Sequence, residues 1–308
     1  MTKNIIVDTD PGVDDALALI YLSATNEPIN GITTVYGNST IEYVTNNALY
    51  ITSLLGQDWP VFKGADKPIN GTGRLAQSHG DTGLGNVSYD NATLPLMQPA
   101  EAKDYLISTL DTNIKTTILC LGPLTNLAIA LESIDDVHGK IDEVIIMGGA
   151  FSQKGNVTEY AEFNFYNDPY AVQQTLKQLS RNKIKTTIIP AEVCREVVLL
   201  REELDTLKDE GYFEGIENIV GPYLEHYIND ASDGEHLGAV LYDVLVPIYM
   251  QSPELFECIG AKITINDDEN GERYGQSLMS EDQNSTIQVA RSVNAQAVKA
   301  IFMKQLLR

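Results

Sequence analysis

Short apolar runs rich in β-branched residues alternate with longer stretches of helical character through the first two thirds of this chain. Residues 5–7 precede a helical stretch at 15–23, and residues 29–35 precede another at 41–55. Runs such as TTILCL and VIIM are apolar on both faces, which is typical of strands covered by helices on both sides. The alternation predicts an α/β fold with a mostly parallel, Rossmann-like central sheet flanked by helices. A length of 308 residues allows one large domain or two small ones.

Two polar segments interrupt this alternation. Residues 63–91, here called the polar loop, are rich in Gly, Asn, Asp and Ser and are predicted to lie on the surface. Residues 201–238 begin with helical character and become polar at 229–238. Loops this long inside a compact domain are usually functional or disordered. The tail, residues 294–307, is predicted to form a final helix.

The charge balance limits the partners of the chain. A formal net charge of −22 would repel nucleic acid and anionic membranes. The amino-terminal residues run into a strand-like stretch at 4–7 without a signal-peptide pattern, and no later apolar run is long enough to span a bilayer. The three cysteines show no metal-ligand spacing, which favours reduced core thiols, with Cys120 in a buried strand. We therefore expect a cytoplasmic protein without a nucleic-acid or membrane partner.

The most informative segment is rich in carboxylates and lies between a predicted strand and a predicted helix. It reads Asp8-Thr9-Asp10-Pro11-Gly12-Val13-Asp14-Asp15. Four carboxylates in eight residues repel one another unless a positive charge lies among them. A capped helix after a Pro-Gly turn would accommodate one or two of them, but not four. Because hard oxygen ligands suit calcium or magnesium, and open α/β sheets place their sites at the carboxyl ends of strands, this segment predicts a metal site.

Polar residues and glycines also follow three other predicted strands. Asn38 follows residues 32–35, a segment from Leu121 to Asn126 follows the central strand, and the pair Gly148–Gly149 follows residues 144–147. Each of these alone is common turn chemistry. Convergence of four strand ends at one edge of the sheet instead predicts a site, where the glycine pair would let a ligand approach the backbone.

Together these motifs resemble those of the inosine-uridine-preferring nucleoside hydrolase family. The segment from Asp8 to Ala16 is similar to the family's N-terminal signature. Similar blocks follow in the family's order: Thr33-Thr34-Val35-Tyr36-Gly37-Asn38, Gly64-Ala65-Asp66-Lys67-Pro68, His79-Gly80-Asp81-Thr82-Gly83-Leu84-Gly85, Gly122-Pro123-Leu124-Thr125-Asn126-Leu127-Ala128, Met147-Gly148-Gly149, Gly155-Asn156 and Ala161-Glu162-Phe163-Asn164. The resemblance implies one nucleoside hydrolase domain over residues 1–308, active as a homodimer or homotetramer.

The resemblance also implies which residues form the site. Calcium would be held by three carboxylates and one backbone carbonyl, those of Asp10, Asp15, Asp243 and Leu121. The ribose hydroxyls would be held by Asp14, Asn38, Asn156, Glu162 and Asn164, and Phe163 would line the sugar pocket. The implied reaction is hydrolysis of the N-glycosidic bond of purine or pyrimidine ribonucleosides, in nucleoside salvage.

These residue types suit glycosidic cleavage, which passes through an oxocarbenium-like sugar. Calcium can hold two ribose hydroxyls and a water, and it lowers the pKa of that water. Asp10 would take the proton of the water, while a ring of carboxylates would stabilise the positive sugar. Contacts to both the 2′- and 3′-hydroxyls would select ribose over deoxyribose.

Tyr242 departs from the family pattern, which often has histidine immediately before the aspartate that matches Asp243. That histidine is a proposed acid for the leaving base, and a tyrosine with a pKa of about 10 donates a proton less readily. Tyr242 can still hydrogen-bond the base. His79 and His226 are the alternative acids, although a structural role is the favoured interpretation of His226.

Two other functions fit parts of the sequence. The Asp8-Thr9-Asp10 opening resembles the nucleophile motif of haloacid-dehalogenase-like phosphatases, in which Asp8 would be the nucleophile and magnesium the metal. Those enzymes usually continue with Gly-Thr, whereas this chain continues with Pro-Gly-Val-Asp-Asp. A nucleoside-binding protein without turnover would fit the Tyr242 replacement, but retention of the clustered aspartates argues against it.

Overall fold

A computed structural model describes residues 4–76, 78–80, 82–85, 87–112, 114–200, 202–203, 219, 221 and 238–306. Most of the segment 201–238 lies outside these residues. The predictions made for that segment, including the alternative acid His226, therefore also lie outside them.

Eleven strands and nine helices of the described residues position the site. The strands are β1 (Asn4–Thr9), β2 (Ile29–Thr34), β3 (Val61–Lys63), β4 (Thr116–Cys120), β5 (Ile141–Met147), β6 (Lys185–Ile189), β7 (Val198–Leu200), β8 (Gly238–Val240), β9 (Phe256–Ile265), β10 (Ser277–Glu281) and β11 (Ile287–Val293). The helices are α1 (Val13–Ala24), α2 (Ile41–Leu54), α3 (Ala102–Leu110), α4 (Thr125–Glu132), α5 (Phe163–Asn167), α6 (Pro169–Arg181), α7 (Ala191–Cys194), α8 (Leu245–Gln251) and α9 (Ala295–Leu306). The predicted final helix is confirmed as α9.

Nine strands form one sheet in the order β10-β9-β11-β6-β5-β4-β1-β2-β3. The seven strands from β11 to β3 are parallel to one another, whereas β9 pairs antiparallel with both β11 and β10. The predicted mostly parallel sheet is confirmed, and its first six strands have the 3-2-1-4-5-6 order of Rossmann folds. The remaining strands, β7 and β8, form a separate antiparallel pair.

Side chains of the central strands alternate between two hydrophobic cores, one on each face of the sheet. In β4, Ile118 and Cys120 belong to one core and Leu119 belongs to the other. Helices α1, α8 and α9 complete the core that contains Leu119, and α4 and α6 complete the opposite core. All residues of β1 and β4 are buried because helices cover both faces, as the apolar runs predict.

The sheet order places the carboxyl ends of β1 and β4 at a topological switch point. The chain leaves β1 towards β2 on one side and leaves β4 towards β5 on the other, which opens a crevice between them. The described residues of the polar loop contain no α-helix or strand after β3, and a short 3-10 helix begins at its last residue, Asn91. The loop is not wholly on the surface, because His79 and Leu84 are buried. In the part of the chain that the structure describes, no helix has both the length and the apolar character needed to cross a bilayer.

Candidate active site

The turn between β1 and α1 is organised by the carboxylate of Asp15. Its Oδ2 accepts hydrogen bonds from Gly12 N at 2.9 Å and from Asn38 Nδ2 at 2.9 Å, and its Oδ1 accepts one from Thr9 Oγ1. Gly12 is the N-cap of α1, so Asp15 closes the first turn of the helix. A Cβ atom on Gly12 would lie 2.5 Å from Asn38 Nδ2. The Pro-Gly turn therefore starts the helix while keeping Asp14 and Asp15 at the carboxyl end of the sheet.

Asp243 joins this turn from the other end of the chain, between β8 and α8. Asp14, Asp15 and Asp243 each offer a carboxylate oxygen, and these three oxygens lie within 4.8 Å of one another. All three residues are buried. Three buried carboxylates at this separation form a candidate cation site.

Asp10 lies close to this cluster but is not one of its three grouped carboxylates. Its Oδ2 accepts a hydrogen bond from Asn38 N at 2.8 Å. Its Oδ1 is buried and has no hydrogen-bond partner among the described residues. The carboxylate fits against Gly37 and Gly122, and a Cβ atom on Gly122 would lie 2.5 Å from Asp10 Oδ1. The two glycines therefore make room for Asp10 between the ends of β2 and β4.

Burial raises the pKa of all four carboxyl groups. For Asp10 the charge of Asp15 adds to the effect of burial, and for Asp243 the charges of the other three aspartates do so. Burial raises the pKa of Asp14 to about 6. At Asp15, burial and the charge of Asp14 raise the pKa, while the hydrogen bonds from Thr9 Oγ1 and Gly12 N lower it.

This donor set fits a hard divalent cation. The available ligand atoms are carboxylate oxygens, and Asp10 Oδ1 and Asp14 Oδ1 are buried without hydrogen-bond partners in the described part of the chain. A cation would offset the burial of these carboxylates, which raises their pKa, and the mutual repulsion that adds to it at Asp10, Asp15 and Asp243. Calcium and magnesium both favour such oxygen ligands.

The backbone carbonyl of Leu121, directly after β4, contacts Asn164. Asn164 Nδ2 donates to Leu121 O at 2.7 Å and to Met147 O at 3.3 Å. A carbonyl oxygen has two lone pairs, so Leu121 O retains the capacity for a second partner. Asn164 thus links the ends of β4 and β5, and the roles of Leu121 and Asn164 towards metal and sugar stay predictions.

Glu162 is buried and holds three backbone groups. Its Oε1 accepts from Asn164 N at 2.8 Å, and its Oε2 accepts from Gly149 N at 2.8 Å and Phe165 N at 3.1 Å. It therefore caps α5 and ties that helix to the end of β5. The ring of Phe165 packs against Gly148 and Gly149, where an added Cβ would collide with it. Phe165 therefore occupies the space beside both α-carbons, and the expectation that this glycine pair admits a ligand stays a prediction.

Asn156 and Phe163 lie where the site meets solvent. Asn156 is exposed and Phe163 is half-buried. Asn156 Oδ1 accepts a hydrogen bond from Phe163 N at 2.8 Å, which joins the loop after β5 to the start of α5. Their roles towards a sugar stay predictions.

His79 and Tyr242, the two candidate acids within the described residues, are both buried. Val13 N donates to His79 Nδ1 at 3.2 Å, and His79 Nδ1 lies 3.8 Å from Asp14 Oδ1. Because Nδ1 accepts this bond, the neutral ring carries its proton on Nε2. Tyr242 directly precedes the clustered aspartate after β8, and its carbonyl accepts a hydrogen bond from Cys194 Sγ at 3.7 Å.

Asp8 belongs to a different network from the other aspartates of its segment. Successive side chains of a strand point to opposite faces, and Asp8 lies within β1. Its Oδ1 accepts hydrogen bonds from Thr33 Oγ1 at 2.6 Å and Asn126 Nδ2 at 2.8 Å. Its partners belong to β2 and α4 and not to the aspartate cluster, which argues against a role as the nucleophile of a phosphatase.

Several residues that hold the site in place were not identified from the sequence. Asn47 of α2 donates to Pro11 O at 2.9 Å and to Thr82 O at 2.8 Å, which joins the carboxylate turn to the polar loop. Asp168 caps α6 and accepts a hydrogen bond from Ile69 N at 2.8 Å. Such contacts leave no local signal, because a polar residue in a helix or at a cap has the same pattern with or without a remote partner.

Known proteins resemble this chain over most of its length. The family model described as inosine-uridine preferring nucleoside hydrolase matches residues 5–300. The chain is 33% identical over 272 residues to the pyrimidine-specific ribonucleoside hydrolase RihA of Photobacterium profundum, covering 86% of this chain and 85% of that protein. It is 32% identical over 268 residues to uridine nucleosidase 1 of Arabidopsis thaliana, covering 82% of this chain and 75% of that protein. The solved purine-preferring ribonucleoside hydrolase from Gardnerella vaginalis matches with a TM-score of 0.87 and 28% identity, covering 99% of this chain and 98% of that one.

Proposed function

The chain belongs to the inosine-uridine preferring nucleoside hydrolase family and is a ribonucleoside hydrolase, and we propose that it releases base and ribose from purine or pyrimidine ribonucleosides in a calcium-dependent reaction of nucleoside salvage. The observation that carries this proposal is the group of three buried carboxylates, with the unpartnered Asp10 Oδ1 close to it. The two curated relatives act on pyrimidine nucleosides by name, so uridine is the first substrate to test.

We assign the cation to Asp10, Asp15, Asp243 and the carbonyl of Leu121. Calcium accepts six to eight oxygen ligands in flexible geometry, whereas magnesium requires a near-ideal octahedron and keeps several waters. A set of several carboxylates and a carbonyl, completed by sugar hydroxyls, suits the larger ion. When bound, calcium would lower the pKa of a water and hold two ribose hydroxyls.

Asp10 is the proposed general base. The bond from Asn38 N fixes its Oδ2, which leaves Oδ1 to accept the proton of the attacking water. Gly37 and Gly122 have no side chains, so nothing at these two positions displaces the carboxylate of Asp10. The other carboxylates stabilise the positive charge that develops on the sugar as the glycosidic bond breaks.

The remaining polar residues would bind the ribose from two sides. Asp14 and Asn38 lie at the carboxylate cluster and Asn164 lies against the carbonyl of Leu121, and all three are assigned to the 2′- and 3′-hydroxyls. The one further hydroxyl of a ribonucleoside, at the 5′ position, is assigned to Asn156 and Glu162. Asn156 Oδ1 already accepts from the backbone, so its Nδ2 is the atom available to donate to a substrate. Phe163 would line the sugar pocket.

The leaving base would be assisted by Tyr242 or His79. The acceptor role of His79 Nδ1 places the ring proton on Nε2, which gives His79 a donor for a base nitrogen or oxygen. Tyr242 offers a hydroxyl that donates a hydrogen bond more readily than a full proton at neutral pH. The favoured substrates are therefore nucleosides whose base leaves with little protonation.

The same proposal places the enzyme in the cytoplasm as a homodimer or homotetramer. All three cysteines are free thiols, a state typical of reducing compartments. The net charge of −22 opposes binding of nucleic acid, so the partners are ribonucleosides and further copies of the chain.

The test is release of reducing sugar from uridine, cytidine, inosine and adenosine, with excess chelator and after addition of calcium. We expect hydrolysis only with the cation, and no hydrolysis by the variant Asp243→Asn. A protein that binds these nucleosides without turnover, or that turns them over fully after exhaustive chelation, contradicts the proposal.

A further inference from the structure

An exposed loop, residues 151–156, connects the end of β5 to the sugar side of the proposed site. Phe151 is half-buried against the core, but Ser152, Lys154 and Asn156 are all exposed, so burial fixes only the first residue of the loop. An exposed loop without such anchors would order only at an entropic cost when a substrate binds. The hydrogen bond from Phe163 N to Asn156 Oδ1 fixes the side chain of Asn156, and the backbone of the loop that leads to it is held by other elements.

Glu192 of α7 holds the start of this loop. It is 8% exposed, and its Oε1 accepts hydrogen bonds from Phe151 N at 3.0 Å, Ser152 N at 2.8 Å and Ser152 Oγ at 3.0 Å. Hydrogen bonds to a carboxylate are stronger than those between neutral groups. Glu192 therefore fixes the two backbone amides with which the loop begins.

Arg195, directly after α7, holds the end of the same loop. Its Nη1 donates to Lys154 O at 2.8 Å and its Nη2 donates to Gly155 O at 3.2 Å. These carbonyls belong to the two residues that precede Asn156. The guanidinium group has a fixed fork of donors, which orients both carbonyls at once. Burial raises the pKa of Glu162, while its three backbone hydrogen bonds and, to a smaller extent, the charge of Arg195 lower it.

We propose that Glu192 and Arg195 are positioning residues, a clamp that holds Asn156 in place and thereby sets recognition of the 5′ side of the ribose. Glu192 supplies acceptors to the start of the loop, and Arg195 supplies donors to its end. Apart from the bond from Ser152 Oγ to Glu192, both residues act on backbone groups of the loop. The inference rests on the proposed function, because it takes Asn156 as the residue that addresses the 5′-hydroxyl.

The kinetic test compares uridine with 5′-deoxyuridine. In Arg195→Ala, we expect the ratio of kcat/KM for uridine over 5′-deoxyuridine to fall roughly tenfold, as for loss of one hydrogen bond. Arg195→Lys keeps the charge but not the fork, so it should recover only part of the ratio. Arg181→Ala is the matched control, because Arg181 is exposed at the end of α6. An unchanged ratio in Arg195→Ala, or full recovery by lysine, overturns the clamp.

Hydrogen exchange tests the clamp without activity. In Glu192→Ala and Arg195→Ala, amides of residues 151–156 should exchange faster than in the native protein, while those of α6 stay unchanged. Glu192→Gln keeps an acceptor oxygen and should exchange more slowly than Glu192→Ala. Unchanged exchange at 151–156 refutes the clamp, whatever the kinetics. Faster exchange in a protein that does not prefer uridine over 5′-deoxyuridine instead refutes the assignment of Asn156 to the 5′-hydroxyl.

Discussion

Removal of the divalent cation should make the stability of this protein fall as the pH rises from 4.5 to 7.5. Asp14 is the group for which the size of the effect is clearest. Burial raises its pKa from 3.8 to about 6 in the folded protein. The unfolded chain has the lower value, so the folded state binds a proton more tightly across this interval.

The direction and size of the effect follow from this difference. Below the unfolded pKa of 3.8 the stabilising contribution of the protonated group is complete, and it is lost as the pH rises through about 6. The loss for Asp14 is about 3 kcal/mol at neutral pH. Burial shifts Asp10, Asp15 and Asp243 in the same direction, so Asp14 does not act alone. A bound cation would favour the ionised carboxylates and offset this loss.

Thermal unfolding followed by circular dichroism, with chelator and with saturating calcium, measures the effect. The increase in Tm caused by calcium should grow with pH, since protons compete with the cation for the same oxygens. Between pH 4.5 and 7.5 we expect that increase to grow by about 5–10 °C. Surface carboxylates titrate in both series, so the difference between the series isolates the cluster.

Asp243→Asn is the control variant. It removes one negative charge from the cluster, so without calcium the variant should be more stable at pH 7.5 than the native protein. It should also gain little from calcium. A calcium effect on Tm that is the same at every pH, or larger at low pH, would refute the electrostatic account of the cluster.

Three further predictions concern catalysis. Asp10→Ala should lower kcat about 10²–10⁴-fold, as for loss of a general base, with a smaller change in substrate affinity; near-normal turnover in single-turnover assays would exclude that role. Uridine should exceed 2′-deoxyuridine in kcat/KM by about 10⁴-fold, because a missing hydroxyl leaves buried polar groups unpaired, and comparable rates would contradict the ribose assignment. Tyr242→Phe should slow uridine about tenfold while sparing nitrophenyl riboside, whose leaving group needs little protonation. Equal losses on both substrates would indicate a role for Tyr242 in the shape of the pocket, and no loss would direct attention to His79, to His226 or to a reaction without an acid.

The fold class and the position of the site could be predicted from local patterns. Short runs that are apolar at successive positions indicate strands covered on both faces. Each strand of a parallel sheet buries side chains on both its sides. The carboxylates after β1 could likewise be placed at the carboxyl edge of the sheet. Resemblance to a family then supplied the enzyme class, which the relatives confirm.

Which residues join the site depends on how distant segments of the chain pack together. Asp8 and Asp10 are two residues apart, yet Asp8 is fixed by Thr33 and Asn126 in a separate network. Asp243 enters the cluster only because β8 ends beside the turn after β1, and no local pattern around Asp243 encodes that approach.

The same limit applies to the residues that support the site. The glycine pair after β5, expected to face a ligand, packs against Phe165, and the loop that carries Asn156 is held by Glu192 and Arg195. Sequence patterns report how one segment alternates between core and solvent. They do not report which distant backbone groups a buried carboxylate or guanidinium will meet, because that depends on the order in which the strands assemble into the sheet.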